Sequence, residues 1–367
     1  MKYCIFLLFI TSLFSCRNST STQTETTFTP DSTGIGWALL PFEKVDSLNP
    51  VLKPSPDHSF FDPIWKKQIK WEQKDVFNPA CIVRNDEVWM LYRAEDTLGK
   101  FDGVSRIGLA KSKDGLHFTK EHVPIFYPTE GKEKKYEWEG GTEDPRIVES
   151  PDSSYILTYT AYDGKTARLL LATSKDLRTW TKYGPVLGET RHLNTWSKSG
   201  AIVCKQVGNR LVAEKINGKY WMYFGDTSLF LAQSDDLIHW TPLENPDGSL
   251  KPVLKPRPGK FDGQLVEPGP YALRTEQGIV LIYNSAVPRK DKANALVYSA
   301  GQVLFAGNDP ARILARLSEP FMIPDKPYEL TGQVNNVVFL EGLVPFHGKW
   351  FLYYGTADSK IAVAVHE

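Results

Sequence analysis

The chain has 367 residues, with 43 Lys and Arg against 43 Asp and Glu, so its formal net charge is zero. A neutral chain has no global field to hold a polyanion, which argues against nucleic acid as a main partner. At 41% apolar and 23% charged residues, the composition excludes wholesale disorder. The 19 Phe, 16 Tyr and 10 Trp, beside 27 Gly, 25 Pro and only 4 Met, point to a β-rich fold. Length alone suggests about two domains of ~150 residues, but the repeats described below overrule that.

The chain opens with Met1-Lys2 and an apolar run from Cys4 to Phe14. That run is shorter than the ~20 residues a membrane span needs. It has the length of a signal-peptide core. Leu13-Phe14-Ser15-Cys16 resembles the bacterial lipobox, in which a small residue precedes an acylated cysteine. Residues 1–15 are therefore read as a lipoprotein signal peptide, Cys16 as the lipidation site and 16–35 as a Ser/Thr-rich tether. The expected location is the bacterial cell envelope, on the periplasmic face or the cell surface of the outer membrane. The lipid would be the only membrane contact. A plain secretory signal with a chance cysteine is the alternative. Cys81 and Cys204 remain in the folded part, in apolar strand-like stretches. They read as buried free thiols, with one disulfide as the alternative.

Repeats set the architecture of residues 36–367. Ala110-Lys111-Ser112-Lys113-Asp114, Ala172-Thr173-Ser174-Lys175-Asp176 and Ala232-Gln233-Ser234-Asp235-Asp236 each run on to an aromatic residue. A second motif, an aromatic and aliphatic strand ending in Tyr or Phe, recurs five times. Its copies are Val88 to Tyr92, Tyr155 to Tyr159, Tyr220 to Phe224, Ile279 to Tyr283 and Trp350 to Tyr354. A period of roughly 60 to 70 residues, with several short strands per unit, is that of a propeller blade. Five copies predict an all-β, five-bladed β-propeller in a single domain. Asn85-Asp86, Lys113-Asp114-Gly115, Asn217-Gly218 and His347-Gly348 supply turns. One short helix is predicted over Ala311 to Leu317, capped by Asp309 with Pro310 at its first position.

The densest polar cluster is Glu139-Gly140-Gly141-Thr142-Glu143-Asp144-Pro145-Arg146. Taken bare, it reads as a structural turn with an Asp–Arg pair or as a functional site. Here a resemblance enters. Gly141-Thr142-Glu143-Asp144-Pro145-Arg146 resembles the Gly-x-Glu-Asp-Pro-Arg motif of glycoside hydrolase family 130, the β-mannoside phosphorylases and β-1,2-mannosidases. Further matches follow in the family's order. They include Phe77-Asn78-Pro79-Ala80, Leu91 to Asp96, Ile107 to Ala110 and Ala213-Glu214-Lys215-Ile216-Asn217-Gly218-Lys219-Tyr220. The carboxyl part adds Tyr328 to Gly332, Asn335 to Phe339 and Tyr353 to Asp358. The resemblance runs from about residue 75 to the end.

The resemblance implies a mannose-containing oligosaccharide substrate, inversion at the anomeric carbon and Asp144 as general acid, acting through a hydroxyl of the bound sugar in the phosphorylases. A leaving oxygen needs a proton, and Glu143 is expected to help raise the pKa of Asp144. The phosphorylases carry basic residues where this chain has Phe224-Gly225-Asp226 and Tyr283-Asn284-Ser285. A carboxylate, Glu267, stands where they are neutral. Family hydrolases use glutamates there, so Glu267 is the first candidate base and Glu214 the second. Asn78, Arg93, Arg146, Lys198 and Asp358 are the expected substrate-binding residues. Lys198 and Arg168 keep phosphorolysis open, and a non-catalytic glycan-binding propeller is a third reading. No metal-ligand spacing and no nucleotide loop occurs, so neither metal nor cofactor is expected.

Overall fold

A computed structural model describes residues 36–101, 103–289, 292 and 295–367. The signal, Cys16 and the tether lie outside the described residues. The fold is all-β with almost no helix: the helices among the described residues are single turns, Lys134–Glu137 and Pro327–Leu330.

The strands follow one another as antiparallel sheets. The first sheet comprises Asp75–Arg84, Glu87–Glu95, Ser105–Ser112 and Thr119–Lys120. The second comprises Gly141–Glu149, Tyr155–Tyr162, Ala167–Ser174 and Trp180–Pro185. In the third, Ala201–Val207 pairs with Tyr220–Phe224, followed by Leu229–Ser234 and Trp240–Pro242. In the fourth, Leu265–Pro268 and Ala272–Arg274 pair with Ile279–Pro288, followed by Leu296–Ala306 and Asp309–Arg316. The fifth is Val338–Phe346, Lys349–Thr356 and Lys360–His366, completed by the amino-terminal strand Glu43–Lys44. Each repeated aromatic strand is the second strand of its sheet.

The first strands lie side by side. Asp75–Arg84 packs on Gly141–Glu149 and on Val338–Phe346, and Ala201–Val207 pairs in parallel with Ala272–Arg274. Apolar side chains fill the gaps between sheets. Ala80, Leu91, Ile107, Leu157 and Leu170 form one cluster between the first two sheets. Ala201, Tyr223, Leu281 and Phe305 form another between the third and fourth.

A polar device recurs with the second strands. Tyr92 donates its hydroxyl to buried Glu72, Tyr159 to Glu137, Tyr283 to Asp262 and Tyr354 to Glu329. Each carboxylate also meets a cation from the sheet's outermost strand. The pairs are Lys120 with Glu72, Lys182 with Glu137, Arg316 with Asp262 and Lys44 with Glu329. Buried polar groups persist only when partnered in this way. Each triad therefore ties the second strand to the sheet's outer edge. The third sheet has Phe224 at this position and no hydroxyl to partner.

The Ser-x-Asp repeat is a turn. Asp114, Asp176 and Asp236 each accept two backbone N–H groups from the residues that follow, and each preceding Ser bonds the same carboxylate. Asn85-Asp86 and His347-Gly348 have positive φ at both positions and close hairpins, as expected. The helix expected over 311–317 is a correction: Asp309–Arg316 is a strand. Asp309 does accept the Ala311 N–H at 3.1 Å, the contact that reads as a cap. The chain then extends, which carries Arg316 to Asp262 and Tyr283. Cys81 and Cys204 are buried free thiols.

The triads make a graded prediction for urea unfolding. Tyr159→Phe removes one hydrogen bond and costs about 1–2 kcal/mol. Glu137→Ala strands the Lys182 ammonium in a buried place and costs about 3–5 kcal/mol. Equal costs for the two would contradict the triad.

Candidate active site

Three of the first strands break register at one place each. The breaks fall between Phe77 and Pro79, between Glu143 and Arg146, and between Leu340 and Gly342. A bulge leaves its extra residue unpaired and re-aims it. The residues so released are Asn78, the pair Asp144-Pro145, and Glu341. Asn78 and Asp144 hold φ of 48° and 46°, which non-glycine residues rarely adopt. Ser199 and Asp358 share this left-handed conformation, at 58° and 48°. Such strain concentrated on polar residues marks a functional place. Gly141 makes the approach possible: at φ 94°, a Cβ there would lie 2.1 Å from the Ser105 carbonyl oxygen.

The released side chains converge. Asn78 Nδ2 donates to Asp144 Oδ1 at 2.8 Å, and Arg93 Nη1 donates to the same oxygen at 2.9 Å. Arg93 also lies 3.3 Å from Glu143 Oε2 and 2.7 Å from Glu95 Oε1, with its guanidinium over the Phe77 ring. Lys198 Nζ stands 3.7 Å from Asp144 Oδ2. Glu267 is buried and accepts a hydrogen bond from Ser199 Oγ.

Arg146 is engaged by the protein at every nitrogen. It donates to the carbonyls of Gly269, Pro268 and Asp144, and pairs with Glu341 at 3.0 Å. It thus clamps the backbone just after Glu267 to that of Asp144. Arg146, expected to bind substrate, is thus also a brace for the site.

The charges sort by environment. Burial works to raise Asp144, but Arg93, Lys198 and Arg146, with the Asn78 hydrogen bond, outweigh it and hold the carboxyl well below its ordinary range. Glu143 goes the other way, to about 7, through burial and the Asp144 charge against Arg93. The expectation that Glu143 lifts Asp144 is thereby reversed: the cations sit closer to Asp144, so Glu143 is the partner that keeps the proton. Burial raises Glu267, with Lys198 and Arg146 opposing. Burial also takes Asp358 to about 7, against the Arg93 charge. The Lys198 ammonium is held charged against burial by Glu267, Asp144 and Glu143.

Glu214 is not brought to this cluster. Its carboxylate pairs with Lys205 and Arg274, each at 2.9 Å. Lys205 lies toward the far end of the strand Ala201–Val207, about 20 Å along the chain from Ser199, with Arg274 beside it on the neighbouring strand. Arg168 is also apart, held by Asp163, Asn194 and the Leu193 carbonyl. Sequence reasoning missed Glu341 as a site residue. Its signal was a lone carboxylate inside the apolar run Val337 to Phe346, followed by Gly342. Burial holds the Glu341 carboxyl well above the ordinary range. Tyr298 was missed too: burial, with the Glu267 and Asp358 charges, pushes its hydroxyl up to about 12. Among the described residues no group of three His, Cys, Asp or Glu side chains could hold a metal ion.

A family model described as beta-1,4-mannooligosaccharide phosphorylase, that of glycoside hydrolase family 130, matches residues 49–367. The chain is 35% identical over 311 residues to a 1,2-beta-oligomannan phosphorylase of Thermoanaerobacter sp. (strain X514), spanning 82% of this chain and 93% of the relative. It is 46% identical to a solved glycosyl hydrolase from Bacteroides ovatus, with TM-score 0.87 over 90% of this chain and 95% of that one. A third structure is 43% identical, with TM-score 0.86 over 92% and 96% of the two chains. It is described under the finding that the family of mannoside phosphorylases contains glycoside hydrolases that target beta-1,2 mannosidic linkages in Candida mannan. These matches put the chain among enzymes that process glycosidic bonds. It belongs to glycoside hydrolase family 130.

Asp358 supplies a stability test. Its folded pKa of about 7 lies above its ordinary 3.8, so the native state binds the extra proton between those values. Native stability is therefore lost as pH rises through that window. Asp358→Asn removes the penalty, so the variant gains on the parent protein between pH 4 and pH 8. The gain is about 2 kcal/mol, allowing for solvent at the half-buried carboxyl. Thermal unfolding at both pH values checks this, and a pH-independent difference would refute it.

Proposed function

We propose that this chain is an inverting hydrolase of β-mannosides, acting on β-1,2 linkages, with the five sheets arranged as the blades of a β-propeller around the site. The observation that carries the reading is Glu267, a buried carboxylate held by Ser199 in the same charged cluster as Asp144. Inverting hydrolysis needs an acid and a base roughly 6.5–9.5 Å apart with water between them. The names of the similar structures support hydrolysis and the linkage.

In this reading the Glu143–Asp144 pair carries one proton below about pH 7. Glu143 holds that proton, and it passes through Asp144 to the leaving oxygen, directly or by way of a hydroxyl of the bound sugar, leaving both carboxyls ionised. Glu267 takes a proton from water as the water oxygen bonds to the anomeric carbon from the opposite face. Lys198 opposes the burial that raises the Glu267 carboxyl. Asn78, Arg93 and Asp358 meet the hydroxyls of the terminal mannose, and Arg146 holds the two catalytic segments in register.

The phosphorylase named among the relatives, together with Lys198, favours phosphorolysis as the second reading. Against it, Arg168 is committed to Asp163, and a phosphate dianion beside Lys198 would face Glu267 and Asp226. The amino-terminal reading belongs to the same proposal: residues 1–15 as signal, lipid on Cys16, 16–35 as tether and 36–367 as catalytic domain. Such an enzyme would hang from the bacterial envelope with the lipid as its only membrane contact.

Incubation with β-1,2- and β-1,4-mannobiose, with and without phosphate, tests the reading. Proton NMR should show α-mannose as the first anomer in phosphate-free buffer. Turnover only with phosphate, yielding mannose 1-phosphate, would establish the second reading instead. Glu267→Gln should lower kcat by about 10³-fold or more.

The pH profile provides a separate check. The rate should fall as pH rises through about 7, where Glu143 loses its proton. Glu143→Gln, which has no proton to give, should lower the rate across the range and abolish that limb. An unchanged limb in the variant would remove Glu143 from the proton path.

A further inference from the structure

Three aromatic side chains form a line beside the charged cluster. Phe101 and Tyr162 have ring centroids 5.3 Å apart, and Tyr162 and Trp196 6.2 Å apart. Phe101 is 41% exposed and Trp196 48%. Large apolar rings left open in a row are not blade core, where such rings are buried.

The line is fixed to the site at two points. A Cβ on Gly140 would fall 2.7 Å from Tyr162 Cβ and 2.9 Å from Glu143 Oε1, so both flank that glycine. Gly140 therefore lets the ring and the proton-bearing carboxyl share one corner. Trp196 Nε1 donates to Asp226 Oδ2 at 2.5 Å. Asp226 in turn acts electrostatically on both Lys198 and Glu267. Trp196 also lies two residues before Lys198 on the same segment. The indole is thus held by its polar edge, and about half of the side chain stays open to solvent.

We propose that Phe101, Tyr162 and Trp196 form the binding wall for the sugar on the leaving side of the scissile bond. This rests on the hydrolase reading above. The groups expected to hold the terminal sugar, Asn78 and Asp144, are buried. The aromatic line adjoins those groups at Gly140, beside Glu143, and at Asp226, which acts on Lys198. Pyranose rings present C–H faces that pack on flat aromatic surfaces, while their hydroxyl edges stay in water. A wall of rings with few donors holds a sugar ring in place without demanding one hydroxyl pattern. The wall therefore sets how strongly a second ring is required and is tolerant of which sugar supplies it.

The experiment compares β-1,2-mannobiose with β-mannosyl fluoride, whose leaving group carries no ring. Hydrolysis of the fluoride breaks C–F, releases fluoride with the bonding pair and places the water oxygen on the anomeric carbon. Trp196→Ala should lower the ratio of mannobiose to fluoride kcat/KM by about tenfold, through KM for mannobiose. Trp196→Phe, which keeps a ring, should restore most of the ratio. Tyr162→Ala should lower it in the same direction. Turnover of the fluoride reports that each variant is folded. An unchanged ratio in both alanine variants overturns the proposal. A parent enzyme inactive on both substrates without phosphate would instead overturn the hydrolase reading on which it rests.

Discussion

Asp144 is a buried carboxylate in a strained backbone position, and the site is organised by what keeps it ionised. Burying a lone carboxylate is costly unless cations and donors surround it. Here Arg93 and Asn78 reach one oxygen, Lys198 faces the other, and Arg146 stands behind the backbone. Those cations need counter-charges of their own. Glu95, Glu143, Glu267 and Glu341 supply them. Glu143 and Asp358, raised to about 7, then keep protons more readily than Asp144 does. One excess of negative charge thus produces groups with different protonation in a small space, which acid–base chemistry at neutral pH needs.

The sheets hold this arrangement by a repeated and cheaper device. In four of them a tyrosine, a buried acid and a basic residue from the outer strand form a closed triad. In these four sheets the second strand is tied to the outer edge. The inner strands can then carry bulges and positive φ at Asn78, Asp144 and Glu341 without losing their places. The third sheet, where Phe224 replaces the tyrosine, passes through Gly225 to Asp226, which anchors Trp196.

Much of this was legible in the sequence. The aromatic strands recur because one position in each sheet meets the same neighbours, so spacing and chemistry repeat together. The Gly141-to-Arg146 motif and Glu267 stand out because carboxylates beside Gly and Pro break the strand pattern. What was not legible depends on neighbours from distant sheets. The direction in which Glu143 and Asp144 divide their charge follows from where Arg93 and Lys198 arrive. That Arg146 reaches Pro268, Gly269 and Glu341 likewise depends on residues far along the chain. Glu214 looked catalytic by its segment, yet its strand turns it toward Lys205 and Arg274. The Asp309 cap contact is real but local, and the pull of Asp262 on Arg316 extends the chain beyond it.

Cations place the proton of the buried pair on Glu143 and leave Asp144 ionised. Carbon-detected NMR of protein labelled at its carboxyl carbons measures this directly. The Glu143 resonance should titrate near pH 7 while that of Asp144 stays in its ionised position from pH 5 to pH 9. A Glu143 carboxyl already ionised at pH 5, or an Asp144 carboxyl that titrates near neutrality in its place, would contradict it.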